Sequence, residues 1–132
     1  MTYTVRVTRE GASWLAQVDD VTGAHTHART LRGLDERVRE AVALAEDLPP
    51  GAEAGLDLDW DYAAVAPEAV EADRLARERA DVDRQRDEIT AHTRAVVGQL
   101  VRKGWSSRDI ASVLRLSAAR VAQLAGEANR AA

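Results

Sequence analysis

Residues 56–62 read Leu-Asp-Leu-Asp-Trp-Asp-Tyr, an alternation that puts Leu56, Leu58, Trp60 and Tyr62 on one side and Asp57, Asp59 and Asp61 on the other. A period of two is the signature of a half-buried strand, because successive side chains of an extended chain point to opposite faces. One face is apolar and the other is a ladder of three carboxylates. The segment before it decides what kind of sheet this strand joins.

Working back, Pro49-Pro50-Gly51 ends a helix predicted from Leu31 to about Glu46. Thr30 is placed to cap it, and Leu34, Val38, Ala41, Val42 and Ala45 fall on one face. Earlier still, Tyr3, Val5 and Val7 alternate with Thr4, Arg6 and Thr8, giving a first strand. A short loop, Glu10 to Ser13, leads into a second, with Trp14, Ala16 and Val18 set against Leu15 and Gln17. Asp19 to Gly23 breaks it, and a short third strand fits around Ala24 to Ala28. The order strand, strand, strand, helix, strand implies an α+β unit: a small sheet covered on one side by a single helix, ending near Ala66.

Beyond it the pattern changes. Pro67 suits the first turn of a helix, and from there to Lys103 only Gly98 interrupts helix-favouring residues. Leu75, Val82, Ile89 and Val96 recur every seven residues, with Ala72, Arg79, Arg86, Thr93 and Leu100 at the intervening seam positions. Such a half-strength heptad fits either an imperfect dimer seam, giving a homodimer or higher homo-oligomer, or packing back onto the chain's own domains. The organisation read from the sequence is a sheet domain over residues 1–66, a connecting helix over 67–91 and an all-α unit over 92–132.

Composition narrows the function. The 132 residues are 45% apolar and 30% charged, with a net charge of −4 and no cysteine, which excludes disulfide scaffolds, CxxC redox motifs and thiolate zinc sites. The apolar run Ala41 to Ala45 is far short of a membrane span and the first residues lack a signal peptide's core, so a cytoplasmic, non-membrane protein is expected. The charge is unevenly divided: residues 1–91 hold 11 Arg and 20 acids, whereas 92–132 hold 7 Lys and Arg against 2 acids. An acidic half suits a basic protein partner, and a basic half is an electrostatic footprint for phosphate. Solvated faces of ordinary variation are the plainer explanation, and the motifs have to decide.

From Ser107 to Gly126 the chain has the 20-residue spacing of a helix-turn-helix. Ala111 is small where two helices would cross, and Ile110, Leu114, Leu116, Val121 and Leu124 would fill the wedge between them. Ser106 with Asp109 resembles a capping box, and Ser117 can cap the second helix. Val96, Val97, Leu100 and Val101 would close the third side of this core, with Trp105 as its plug. Arg115 stands at the turn position where the backbone often takes a positive φ and glycine is usual. Lys103, Arg108, Arg115 and Arg120 surround the unit as phosphate contacts, while Ser117, Ala118, Ala119, Arg120 and Gln123 are candidates for the major groove of double-stranded operator DNA. A helical hairpin used only for oligomerisation has similar apolar spacing. So few polar base readers imply modest specificity per motif, and two copies on neighbouring half-sites would be needed.

Residues 3–18, Tyr-Thr-Val-Arg-Val-Thr-Arg-Glu-Gly-Ala-Ser-Trp-Leu-Ala-Gln-Val, followed by Val21 to Leu31, resemble the HicB-type antitoxins, and the resemblance extends to about Tyr62. It implies a partial, RNase H-like sheet domain that binds and masks a small basic HicA-like mRNA-cleaving toxin, and a C-terminal unit that represses the operon encoding the pair. Asp57, Asp59 and Asp61 are the candidate toxin-binding residues. Early in the first helix Arg32 and Gly33 replace acidic residues usual in that family. The tail is also similar to the DNA-reading helices of sigma factors, a similarity shared by many regulators.

Other chemistries fit less well. RNase H-type cleavage needs carboxylates converging on two metal ions, beginning on the first strand, and Tyr3 to Arg9 contains none. His25 and His27 share a strand face, but His92 is the only other imidazole, so a zinc site is poorly provided for. No nucleophile triad, phosphate-binding glycine loop or cofactor fingerprint is present. The expectation is a non-enzymatic antitoxin and autorepressor without catalytic residues, metal or cofactor; the alternative is a stand-alone dimeric transcriptional regulator with no toxin partner.

Overall fold

A computed structural model describes residues 1–131. The chain divides into two units, Met1–Ala76 and Arg77–Ala132.

In the first unit β1 (Thr2–Glu10) runs antiparallel to β2 (Ser13–Val18), with Val5 opposite Val18 and Val7 opposite Ala16. Gly11, at φ +59°, makes the tight reversal between them. β3 (His25–Ala28) pairs antiparallel with β2, and β4 (Asp57–Asp61) lies parallel beside β1, so the sheet order is β3-β2-β1-β4. A parallel β4 requires a crossover, and α1 (Leu31–Ala45) provides it. Thr30 caps α1 by accepting a hydrogen bond from the Gly33 amide at 3.0 Å.

The core follows the alternation. Tyr3, Val5, Val7, Ala16 and Val18 on the sheet close against Leu34, Val38 and Val42 of α1, with Trp14, Leu58, Trp60 and Tyr62 packed at the margin. Burying each of these aliphatic side chains contributes on the order of 2 kcal/mol. Val21, in the segment expected only to break β2, is also buried, as is Ala24, which was expected in the third strand but precedes β3. Ala45, expected on the buried face of α1, is exposed as the last residue of the helix. A 3₁₀ turn, Ala52–Gly55, precedes β4. Arg39 of α1 holds it: Nη1 donates to the carbonyls of Glu53 at 3.2 Å and Leu56 at 2.8 Å, while Nε donates to Asp35 at 3.0 Å.

α2 (Pro67–Arg102) is unbroken through Gly98. In the second unit, its C-terminal part packs with α3 (Ser107–Leu114) and α4 (Ala118–Ala131) around Val97, Ile110, Ala111, Val121 and Leu124, with Leu100 and Leu114 beside them. The described residues form an α+β arrangement: a four-stranded mixed sheet with four α-helices.

Three residues expected in this small core lie outside it. Trp105 and Val101 are each 43% exposed, so neither seals the core. Gly104, at φ +89°, turns the chain out of α2 and leaves Trp105 outside. Leu116 is 39% exposed, because it lies in the turn rather than on either helix.

Candidate functional site

The turn between α3 and α4 is three residues, Arg115 to Ser117. Arg115 adopts the left-handed conformation, φ 58° and ψ 42°, as its place in the sequence suggests. Its amide and that of Leu116 both donate to the Ala111 carbonyl, which closes the end of α3. Both helices start on serine caps: Ser106 Oγ accepts from the Asp109 amide at 3.1 Å, and Ser117 Oγ accepts from the Arg120 amide at 3.1 Å. α4 is then held against α2 by an ion pair, Arg94 to Glu127 at 2.8 Å. A close approach assists: a Cβ on Gly98 would lie 3.3 Å from that of Ala128.

Of the residues expected to meet a duplex, Lys103, Arg108, Arg115, Ser117, Ala118, Ala119 and Gln123 are exposed, and Arg120 is half-buried. Ser117, Ala118, Ala119, Arg120 and Gln123 are gathered on the turn and the first two turns of α4. Arg120 Nη1 donates to Gln123 Oε1 at 2.9 Å, so the two longest side chains there hold each other before any ligand arrives. Ser117 has a double duty, because its hydroxyl oxygen is already the helix cap. Lys103 is the first residue after α2, and Arg108 lies in the first turn of α3. The Arg94–Glu127 tie was missed by sequence reasoning, as the partners are 33 positions apart. The isolated Gly98 was the only available signal of the close crossing.

Along α2, Leu75, Val82 and Ile89 are 45%, 54% and 66% exposed, while Val96 is half-buried. Leu100, an intervening seam position, is taken into the core of the second unit.

The sheet face opposite α1 is open. Asp57, Asp59 and Asp61 stand exposed in one row on β4, beside Thr2, Thr4 and Arg6 of β1. Thr2 Oγ1 donates to Asp57 at 2.7 Å, and Asp61 accepts from the Ala63 amide at 2.9 Å. Arg6 is paired with Asp19 at 2.7 Å, which together with Asp61 holds its guanidinium more firmly protonated than usual. On the far side His25 and His27 are exposed on β3. Arg6, Leu15, Gln17, His25, His27 and Asp61 border an open depression of about 960 Å³. Among the described residues no group of three or more His, Asp or Glu side chains is gathered closely enough to hold a metal ion, and no helix is long and apolar enough to cross a membrane.

Comparison of the chain with protein-family models, with curated proteins and with solved structures finds no match.

Proposed function

We propose that the protein is a non-enzymatic antitoxin and autorepressor: α3 and α4 act as a helix-turn-helix on operator DNA, and the open sheet face engages a small basic toxin. The observation that carries this reading is the exposed set Ser117, Ala118, Ala119 and Gln123 at the start of α4, with Lys103, Arg108 and Arg115 on the same unit. Arginine and glutamine suit purine edges and alanine methyls suit thymine, while the flanking cations fix register on the phosphates. Two copies on neighbouring half-sites supply the affinity that so few base readers cannot.

For the first unit the supporting features are the acidic row of β4 and the sheet order β3-β2-β1-β4 with β4 parallel to β1, as a HicB-like, truncated RNase H-like domain would have. Three carboxylates in a row without an opposing carboxylate suit a cationic protein surface better than a hydrolytic metal pair.

The test is gel retardation on the DNA upstream of the protein's own gene, across a salt series. Lys103→Ala should lower affinity for all sequences alike and reduce the salt slope by about 1, whereas Arg120→Ala should relax sequence preference. Absence of retardation even at low salt would remove the DNA half of the reading. For the toxin half, co-expression with a neighbouring short basic reading frame should give a complex that Asp57→Asn, Asp59→Asn and Asp61→Asn together release. Retardation without any such complex would leave a stand-alone regulator.

A further inference from the structure

Within the DNA-binding reading, on which this rests, we propose that Arg120 and Gln123 form one reading unit that selects guanine over adenine in the major groove. Arg120 serves in it both as a reader and as the positioning residue that turns Gln123 from an adenine reader into a donor.

Val121 and Leu124 are buried, so at about 100° per residue Ala119, Gln123 and Gly126 take the opposite, outward side of α4. Ala118, Ala119, Ala122 and Gly126 are all exposed and carry nothing longer than a methyl, so this side of the helix can approach a groove floor closely. Gln123 is the long polar side chain on it. Arg120 lies at the flank, half-buried, and its guanidinium reaches Gln123 one turn further along.

The chemistry of that bond fixes which way the amide points. A guanidinium has donors and no acceptor, so the Gln123 atom 2.9 Å from Arg120 Nη1 is the oxygen, and the amide nitrogen is left with both its N–H groups to offer. A glutamine recognises adenine by using both ends of its amide, donating to N7 and accepting from the N6 amino group. Here the accepting end is held by a cation, and an adenine amino group brought to it would set donor against donor. The remaining N–H groups of Arg120 and Gln123 present donors alone. Guanine, with O6 and N7 both acceptors, is the purine edge that satisfies them. The neighbouring side chains do not restore an accepting group: the Ser117 oxygen is already engaged by the Arg120 amide at 3.1 Å, and Ala118, Ala119 and Ala122 carry only methyls.

Selection of the full-length protein on a pool of random-sequence duplex DNA, followed by competition between duplexes that differ at one base pair, tests this. Sites selected by the parent should carry a guanine whose replacement by adenine lowers affinity about tenfold or more. Arg120→Ala, with the parent's helical circular dichroism, should lose that preference and accept adenine at the same position as well or better, because the Gln123 oxygen is released. Arg120→Met, which keeps an apolar stem of similar reach, should do the same. Gln123→Ala should still prefer guanine, by a smaller factor, since the arginine fork alone spans O6 and N7. A parent that favours adenine there, or an Arg120→Ala variant that loses affinity equally for both bases as an arginine on a phosphate would, overturns the inference and leaves the proposed function standing. No DNA retained by the parent at low salt would overturn both.

Discussion

Arg94 of α2 donates through Nε to Glu127 of α4 at 2.8 Å, one helical turn from the point where Gly98 meets Ala128. The ion pair is about two-thirds shielded, so its removal by Glu127→Gln should cost about 1 kcal/mol. Gly98 is the more demanding position. Gly98→Ala gains helix propensity of about 1 kcal/mol but meets Ala128 at 3.3 Å, so its net effect should be small. Gly98→Leu must push α4 away from α2 and should lose about 1–3 kcal/mol by overpacking. Thermal unfolding of the three variants checks the order: Gly98→Leu least stable, then Glu127→Gln, then Gly98→Ala beside the parent.

Arg39 does for the first unit what Arg94 does for the second, but across a crossover rather than between helices. Its guanidinium bridges Asp35 to the carbonyls of Glu53 and Leu56, and so fixes where the chain enters β4. Arg39→Ala leaves those part-buried carbonyls without their charged donor and should cost about 2–3 kcal/mol. Arg39→Lys should recover only part of this, because an ammonium does not reproduce a planar fork of donors. Urea unfolding followed by fluorescence of Trp14 and Trp60, which both border that core, measures the loss.

These two ties mark the limit of what the sequence reveals. The strands were legible because alternation is local: Val5 and Val7 against Arg6, or Leu58 and Trp60 against Asp59, report which face is buried without knowledge of the partner strand. Thr30, Ser106 and Ser117 were legible for the same reason, since a cap acts within three residues. Arg39 and Arg94 looked like ordinary surface arginines, and their partners emerge only when distant elements pack. Trp105 failed in the opposite sense. Its size suggested a buried plug, but the left-handed Gly104 carries the backbone away from the core, and hydrophobicity alone does not record backbone direction.

Tyr62 gives the first unit a dependence on alkaline pH. Burial raises its hydroxyl above the ordinary tyrosine value, and the nearby carboxylates of Asp73 and Asp35 raise it further. The folded state therefore keeps this proton to higher pH than the unfolded chain does. Its contribution to stability is fully present below the ordinary tyrosine value near 10 and is lost as pH rises through the folded value. Between pH 9 and pH 11 the urea midpoint of the parent should fall more than that of Tyr62→Phe. Equal falls would mean that the ring, stacked 6.4 Å from Trp60, matters only through packing.

Arg115 separates stability from the proposed DNA contact. A residue with a Cβ in the left-handed region costs about 1–2 kcal/mol, and glycine does not carry that cost. Arg115 holds φ 58° because its amide must reach the Ala111 carbonyl to end α3 in time for Ser117 to start α4. Arg115→Gly should therefore raise the melting temperature of the second unit, even though glycine's freer unfolded chain offsets part of the gain. The same substitution removes an exposed cation beside α4, so affinity for duplex DNA should fall and the salt slope decrease by about 1. A stabilised protein with weakened, less salt-dependent binding is the expected pair of results. If stability rises while DNA affinity and its salt slope stay unchanged, Arg115 faces no phosphate, and the proposed seating of the turn on the backbone is wrong.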